Sequence, residues 1–269
     1  MRSIWIGSAF SQPMPSGNIG AAISPTGVRT GGKVASRLGG IRRRPCRRRR
    51  RGPHEFDTRL PNEGNRPMEF FAELDAVRER WNVLDHPFYT RWSEGTLTHD
   101  ELAYYSGQYR HAVVALAAAT RRAADAEPAL EPHAAEEAAH VELWDGFVSA
   151  VGGDSAAAPA PETAACAQAW SKDGSLLETL VGIYAIEAAQ PAISATKATG
   201  LRERYGIDSE AATGYFDLHE QLDVEHAAAG RAFIAERLDG ADRVALVARA
   251  EDVLRANWEL LDGVEAKNA

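Results

Sequence analysis

From Met68 onward, apolar residues recur every three or four positions, which is the spacing of an amphipathic helix. Strict alternation of apolar and polar residues, which is typical of a half-buried strand, is not sustained anywhere. The pattern therefore predicts an all-α fold, a single bundle of about seven helices that occupies residues 68–269.

Helix start signals define two of these helices. Thr98 with Glu101, and Ser175 with Glu178, have the spacing of a capping box, in which side chains satisfy backbone N–H groups at the helix start. Within the helix that follows Ser175, Pro191 predicts a kink, because its ring removes a backbone donor and crowds the preceding turn.

Residues 1–67 follow neither period and are rich in Gly, Pro, Ser and Arg, including the run RRRPCRRRRR. They carry 14 Lys and Arg against 3 Asp and Glu. We interpret this segment as a disordered basic tail, with Met68 as a candidate for the true start of translation. A basic arm that binds nucleic acid and a targeting segment are the alternatives.

The remaining 202 residues carry 16 Lys and Arg against 35 Asp and Glu, a formal charge of −19. An acidic body of this size has no electrostatic reason to bind nucleic acid or an anionic membrane surface. No run of about 18 apolar residues is present, and we expect no membrane span. The two cysteines, Cys46 and Cys166, make no disulfide framework, which favours a cytoplasmic protein.

The segment HEQLDVEH, residues 219–226, places three potential metal ligands on one helix face. At about 100° per residue, Asp223 lies about 40° from His219, and His226 lies about 20° from it on the other side. A metal site would use the two imidazoles and the carboxylate together. The alternative is a solvated acidic surface, because Glu220 and Glu225 are close by in the sequence.

A second helix, with the sequence HAAEEAAHVELW, offers further ligands. Glu137 and His140 have the Glu-x-x-His spacing with which helix bundles present a carboxylate and an imidazole to one ion. Glu136, four residues before His140, is the alternative carboxylate. His133 lies one heptad before His140 on the same side, which would let it line the cavity, but its position at the helix start favours a side chain exposed to water.

The third candidate position is Glu187, around which the sequence is apolar for more than two helical turns. A lone carboxylate there is costly unless it is coordinated or paired, and a buried pair with an arginine is the alternative. The complete candidate set has three histidines and three carboxylates from three helices: Glu137, His140, Glu187, His219, Asp223 and His226. Mixed ligands of this kind favour iron or manganese over zinc, and indicate a two-metal site that activates dioxygen.

Four segments of the body resemble a known family: HPFYTRWSEGTLTHDELAYYSGQY, HVELWDGFVSAVGG, YAIEAAQPAISATKATGLRERYG and YFDLHEQLDVEHA. From about Glu69 to about Arg237 the chain is similar to the haem-oxygenase-like non-haem diiron oxidases, whose relatives include the pyrroloquinoline-quinone synthases and the thiaminase II proteins. The resemblance implies a haem-oxygenase-like helical domain, two iron ions as cofactor (or iron with manganese), dioxygen and an external reductant as co-substrates, and a homodimer.

Within this family the chain looks most similar to the CADD-like p-aminobenzoate synthases. Tyr89 matches a tyrosine that supplies the aromatic ring in that group, and Lys197 matches a lysine that supplies the amino group. Lys197 follows Glu187 by ten residues, about 15 Å along an ideal helix, so that only the kink at Pro191 and the resemblance argue for proximity to the metals. The short spacing of Glu137 and the histidine after it is instead similar to that of alkene-forming fatty-acid decarboxylases of the same fold.

The expected function is an oxygen-dependent diiron oxidoreductase that makes p-aminobenzoate for folate biosynthesis from its own tyrosine and lysine. The alternatives are a diiron oxidase or oxidative decarboxylase of a small-molecule fatty or amino acid, and a metal-free quinone-cofactor synthase. A thiaminase would need a cysteine nucleophile, and neither Cys46 nor Cys166 lies in a matching motif. A regulatory or interaction protein is a non-enzymatic alternative, which the acidic charge of the body disfavours as a nucleic-acid binder.

Overall fold

A computed structural model describes residues 66–268, and these residues form nine α-helices. Two short 3-10 turns, Val83–Asp85 and Pro128–Leu130, precede the second and fourth helices. The helices are α1 (Arg66–Arg80), α2 (Pro87–Glu94), α3 (His99–Ala126), α4 (Glu131–Ala150), α5 (Pro161–Trp170), α6 (Leu176–Glu187), α7 (Gln190–Arg204), α8 (Glu210–Ala235) and α9 (Arg243–Asn268).

The all-α prediction is confirmed, although the number of helices is larger than the seven predicted. The additional helices are the short α2 and a second helix that arises where the segment after Ser175 is interrupted at Ala188 and Ala189. Pro191 lies in the first turn of α7, where a proline costs no hydrogen bond, so that the predicted kink is a full break between two helices. The tail predicted for residues 1–67 lies outside the described residues except at its last two positions.

Both predicted capping boxes are present. The Thr98 hydroxyl accepts from the backbone N–H of Glu101 at 3.2 Å, and the Glu101 carboxylate accepts from the backbone N–H of Thr98 at 2.6 Å. The Ser175 and Glu178 pair makes the same reciprocal bonds at the start of α6. These caps satisfy backbone donors that would otherwise lack partners, and thereby fix where α3 and α6 begin.

The faces of α4, α6 and α8 that carry the candidate ligands are turned toward one another. Helix α8 packs against α4, α6 and α7, while α3 packs against α4. Helix α9 covers the other side of the bundle through contacts with α1, α5 and α6. This arrangement places the ligand-bearing stripes in the interior, where the neighbouring side chains are mostly apolar and aromatic.

Helix α7 approaches α2 closely because Gly200 has no side chain. A Cβ atom at Gly200 would lie 2.5 Å from Nε1 of Trp92, which is too close for any real contact. The Trp92 indole instead donates to the carbonyl of Lys197 at 3.3 Å. This contact holds the middle of α7 against the aromatic residues of α2.

Among the described residues, the segment Leu176–Arg204 has the length and hydropathy of a membrane span, with a mean hydropathy of 1.2. In the fold it forms α6 and α7, and 61% of its most apolar window is buried inside the protein. Its apolar character is therefore that of two core helices, and the cytoplasmic location stays a prediction.

Candidate metal centre

Helix α4 presents three ligand-type side chains along one stripe. His133, Glu137 and His140 are separated by four and three residues, so that all three project from the same side of the helix. Each is buried, including His133, which is only 5% exposed. The prediction that His133 is exposed to water is therefore wrong.

Helices α6 and α8 complete the group from the opposite sides. Glu187 is the last residue of α6, and His219, Asp223 and His226 occupy one face of α8. All four side chains are buried, which excludes the solvated acidic surface considered for the α8 motif. Among residues 66–268 no arginine forms an ion pair with Glu187; its close partner is His133, whose Nε2 atom lies 2.6 Å from Glu187 Oε1.

The buried ligands form two overlapping clusters that share one carboxylate. In each cluster the potential ligand atoms lie within 4.8 Å of one another, close enough to surround a single ion. Glu137 belongs to both, which is the position of a carboxylate that bridges two metals. One cluster is His133, Glu137, Glu187 and His226, and the other is Glu137, His140 and His219.

Histidine pairs lie on either side of the shared carboxylate. The rings of His133 and His226 have centroids 4.3 Å apart, and those of His140 and His219 are 4.4 Å apart. His140 Nδ1 lies 3.0 Å from Glu137 Oε1. The result is a compact arrangement of imidazoles and carboxylates drawn from three helices.

Several of these atoms have no hydrogen-bond partner among the described residues. They include Nε2 of His219 and both carboxylate oxygens of Asp223, although Asp223 Oδ1 lies 3.5 Å from Nδ1 of His226. Buried polar atoms are normally satisfied, so that such a group indicates a missing partner such as an ion. Oxygen and imidazole nitrogen donors are also the ligands that iron and manganese accept, and the residues therefore fit a two-metal site.

The backbone of Tyr215 sets the tautomer of His219. Nδ1 of His219 lies 2.6 Å from the carbonyl oxygen of Tyr215, and because a carbonyl can only accept, Nδ1 must carry the proton. The lone pair of His219 is then on Nε2, the unpartnered atom of the cluster. Fixing a ligand histidine through its second nitrogen is usual in metal sites.

The electrostatic environment favours a neutral imidazole at His219 and an ionised carboxylate at Glu137, which are the protonation states that metal ligands need. Burial lowers the pKa of His219, against the opposing charge of Asp223, and so favours a neutral imidazole. Burial raises the pKa of Glu137, but the hydrogen bond and charge of His140 outweigh it, and the net shift is downward. Burial raises the pKa of Asp223 and thereby disfavours its charge in the absence of a cation.

The six predicted ligands occupy different places relative to the two clusters. Five of them are cluster members, whereas Asp223 lies beside the clusters with its carboxylate oxygens unpartnered. The side chain of Glu136, the alternative to Glu137, is 38% exposed, and its Oε2 lies 3.0 Å from His226 Nε2. His133 was missed as a cluster member, and the signal that pointed to it was its heptad spacing from His140.

Lys197 lies in a buried aromatic cage rather than on the metal cluster. Its side chain is 1% exposed, and burial lowers the pKa of the amine well below its ordinary value. Five ring centroids lie between 4.5 and 5.6 Å from Nζ, namely those of Tyr109, Trp144, Phe216, Tyr105 and Tyr89. We call these five residues with Lys197 the lysine cage.

Tyr89 is fully enclosed within the cage. Its hydroxyl lies 3.1 Å from the hydroxyl of Tyr105, and burial raises the pKa of both phenols well above the ordinary value. Burial thus favours the uncharged form of the Lys197 amine and keeps the neighbouring phenols uncharged at neutral pH. The break between α6 and α7 accounts for this proximity, because α7 runs along α2 instead of continuing the line of α6.

A continuous series of buried rings joins the lysine cage to the metal cluster. The Tyr215 ring lies 3.9 Å from the His219 imidazole and 4.9 Å from Trp144, measured between centroids. Trp144 in turn lies 5.1 Å from Tyr109 and is itself a member of the cage. The lysine cage and the metal cluster are therefore connected by packed aromatic side chains.

Comparison with known proteins places this site in a family. The family model described as "Iron-containing redox enzyme" matches residues 129–258, which include all six predicted ligands and His133. The 4-aminobenzoate synthase of Chlamydia muridarum is 31% identical over 212 residues, covering 72% of this chain and 89% of the relative. The chain belongs to the 4-aminobenzoate synthase family. A member from Nitrosomonas europaea is 28% identical over 225 residues, with 90% of its length covered.

Solved structures support the same fold. A TenA homologue from Pseudomonas syringae superposes with a TM-score of 0.65 at 15% identity, over 74% of this chain and 92% of the other. A domain with a haem oxygenase-like fold from Shewanella denitrificans gives a TM-score of 0.56 at 18% identity, over 78% and 94%. As a family member, the chain is an iron-containing redox enzyme with a haem-oxygenase-like fold.

The thiaminase alternative also lacks a nucleophile among the described residues. Cys166 is buried in α5, and burial raises the pKa of its thiol, whereas a cysteine nucleophile needs an accessible thiolate. Cys46 lies outside the described residues.

Proposed function

We propose that this chain makes 4-aminobenzoate from the side chain of its own Tyr89, with the nitrogen supplied by Lys197, in an oxygen-dependent reaction. The observation that supports it best is the burial of the Lys197 amine over the Tyr89 ring, with Nζ 5.6 Å from the ring centroid. The names of the relatives support the same product.

The carbon skeleton of the product supports a tyrosine as its source. A tyrosine side chain and 4-aminobenzoate share a benzene ring with one further carbon para to the heteroatom. The conversion requires that the Cα–Cβ bond of Tyr89 breaks and that Cβ is oxidised to the carboxyl carbon with oxygen atoms from dioxygen. It also requires that the Lys197 nitrogen condenses with the oxidised ring carbon, so that the phenol oxygen leaves as water. The Cε–Nζ bond of Lys197 then breaks by hydrolysis after Cε gives two electrons to the ring, which leaves Cε as an aldehyde. Dioxygen is the oxidant, and an external reductant supplies the electrons that the side chains do not.

The cage residues prepare both groups for this conversion. Burial lowers the pKa of the Lys197 amine and so favours its neutral form, whose lone pair can attack an electron-poor ring. The Tyr105 hydroxyl, 3.1 Å from that of Tyr89, is placed to accept the phenol proton when the Tyr89 ring loses an electron. The surrounding rings exclude water, which would otherwise compete with the amine.

The two clusters defined above would hold two ions, with Glu137 between them. Two iron ions, or iron with manganese, supply the redox chemistry that reduces dioxygen when they are bound. Electrons from Tyr89 would travel toward the ligands through Trp144 and Tyr215, whose rings are in contact at 4.9 Å. The protein therefore needs no direct contact between Tyr89 and the metals.

The test is isotopic. The full chain is produced with tyrosine labelled with carbon-13, loaded with iron under anaerobic conditions, and exposed to oxygen and a reductant. We expect labelled 4-aminobenzoate at no more than one molecule per chain, and a Tyr89 peptide that has lost its side chain. Tyr89→Phe should abolish the product while metal content is retained, and Tyr104→Phe, outside the cage, is the matched control.

The test must distinguish Tyr89 from two other tyrosines of the lysine cage. Tyr109 and Tyr105 lie closer to the amine than Tyr89 does, at 4.5 and 5.4 Å from Nζ. Loss of the Tyr105 or Tyr109 side chain in the spent protein would reassign the source of the ring. Unlabelled product, or oxygen consumption driven by an added fatty or amino acid, would instead show an oxidase with many turnovers and an external substrate.

A cytoplasmic location and a homodimer remain part of this proposal. Both come from the sequence and its resemblance, and size-exclusion chromatography with light scattering tests the second.

A further inference from the structure

A cavity of about 270 Å³ opens at the break between α6 and α7. It lies between the end of α1, the α6–α7 junction and the second half of α9. Most of its wall is apolar and includes the indole rings of Trp81 and Trp170. We call this space the junction cavity.

The junction cavity has a polar group, Asn257, at its buried side, and both a cation, Arg78, and a carboxylate, Glu79, at its exposed side. Asn257 is only 6% exposed, and its Oδ1 atom has no hydrogen-bond partner among the described residues. The Arg78 guanidinium lies in the wall with its side chain 37% exposed, and pairs with Asp75 at 3.0 Å. An acceptor that lacks a donor is costly in the interior, which indicates a ligand that donates to it.

One residue of the lysine cage, Tyr109, contacts two residues of the cavity wall, Trp170 and Asn257. Trp170 of the cavity wall packs edge-on against the Tyr109 ring, with centroids 6.2 Å apart. The Asn257 side chain lies against the same tyrosine and lowers its pKa by hydrogen bonding, against the larger effect of burial. Gln190, at the start of α7, donates to the Tyr109 hydroxyl at 3.5 Å. On the cage side, Tyr109 has the ring closest to the Lys197 amine.

We propose that the junction cavity is the release site for the product, and that it binds 4-aminobenzoate as the molecule leaves the cage. The benzene ring suits the apolar wall, the amino group suits the Asn257 acceptor, and the carboxylate suits Arg78 at the rim. The inference rests on the proposed function for the identity of the ligand. It assigns a second site, separated from the Lys197 amine by the ring of Tyr109.

The test is a binding experiment in which no product forms. The full chain is loaded with iron, kept free of oxygen, and titrated with 4-aminobenzoate by isothermal calorimetry. Ala192 lines the cavity on the exposed face of α7, so that Ala192→Trp fills the space with little demand on the core. Ala118→Trp, on the exposed face of α3, is the matched control.

We expect Ala192→Trp to weaken binding at least about ten-fold and Ala118→Trp to leave it unchanged. Asn257→Leu should weaken the binding of 4-aminobenzoate by about three- to ten-fold, which is the range for one neutral hydrogen bond. The binding of benzoate should be unaffected, because benzoate has no amino group. Arg78→Gln should weaken the binding of both ligands by up to about five-fold, since the guanidinium is partly exposed to solvent.

The outcomes separate this inference from the proposed function. If isotopic labelling shows product but Ala192→Trp binds 4-aminobenzoate as the wild type does, the release site is wrong and the proposed reaction stands. If Asn257→Leu weakens benzoate and 4-aminobenzoate equally, the proposed orientation is wrong. Circular dichroism checks the fold of each variant, and Ala192→Met provides a smaller replacement should the tryptophan variant not fold.

Discussion

The ring of Tyr215 stacks on the imidazole of His219, with centroids 3.9 Å apart and planes inclined by 21°. The same tyrosine accepts the Nδ1 proton of His219 through its backbone carbonyl, at 2.6 Å. One residue thus fixes the orientation of a candidate metal ligand and connects it to the aromatic interior. The i, i+4 spacing on α8 produces both contacts at once.

Trp144 is the residue of the lysine cage that contacts Tyr215 of this stacked pair, and its replacement tests the proposed electron path. Trp144→Phe keeps a ring but removes the indole, which is easier to oxidise, and we expect product formation to slow by at least about ten-fold. Metal content should be unchanged, because Trp144 is not a candidate ligand. Quenched-flow measurement of product per chain provides the readout, with Trp258→Phe as control. An unchanged rate in Trp144→Phe would rule out a path through this residue.

The two clusters predict different metal stoichiometries for single ligand variants. His133→Gln affects one cluster and His140→Gln the other, so that each should reduce bound iron from about two ions to about one per chain. Glu137→Gln should weaken both ions, because Glu137 belongs to both clusters. Elemental analysis after anaerobic loading and desalting gives the counts. His99→Gln changes an exposed histidine, serves as the control and should retain both ions. An equal loss of iron from the three ligand variants would contradict two distinct metal positions.

Lys197 predicts a stability that depends on pH. Burial lowers the pKa of Lys197 from its ordinary 10.5, so that below that pH the unfolded chain holds a proton that the folded amine lacks. The folded state therefore loses stability as pH falls from about 10.5 toward the lowered pKa. Lys197→Met removes this penalty, and should be more stable than the wild type near pH 7, with the difference closing near pH 10.5.

Urea unfolding at several pH values measures that difference. Lys172→Met replaces an exposed lysine and should show no comparable gain at any pH. A gain for Lys197→Met that is the same at pH 7 and pH 10 would show that packing, rather than charge, is responsible. Product should be lost in Lys197→Met, because the amine is the proposed nitrogen source.

Gly200 predicts a steric effect on the placement of α7. Gly200→Ala puts a Cβ atom 2.5 Å from Trp92 Nε1, so that α7 must shift, and we expect a loss of about 1–3 kcal/mol of stability. Gly214→Ala is the control, since its Cβ would meet nothing closer than 4.0 Å and should stabilise α8 by up to about 1 kcal/mol. Denaturant unfolding compares the two. Equal effects from both substitutions would show that the α2–α7 contact is not tight.

Local sequence signals account for much of the fold. Capping boxes identify the starts of α3 and α6, because a cap depends on residues within one turn of each other. Pro191 marks the α6–α7 break for the same local reason. The sequence pattern does not predict the short helix α2 as a separate element, since its eight residues give too few turns to establish a helical period.

Contacts between helices are harder to predict from local sequence signals. His133 pairs with Glu187 across α4 and α6, and the period along α4 alone says nothing about how far away α6 lies. Spacing placed Glu136 near His140, whereas packing brings it to His226 on α8. The lysine cage could not be predicted from local spacing either, because its rings come from different helices and local spacing does not specify how those helices pack.

The burial of Tyr89 has a consequence for the life of the protein. Tyr89 packs against Phe88 and Trp92 in the core, and removing its side chain leaves a cavity that costs about 3–5 kcal/mol. That is a large part of the roughly 5–15 kcal/mol that holds a domain folded. On the proposed reaction, each molecule of product leaves behind a weakened chain that cellular proteases degrade first. The supply of product is then limited by the ribosome, which must build a new protein for every molecule made.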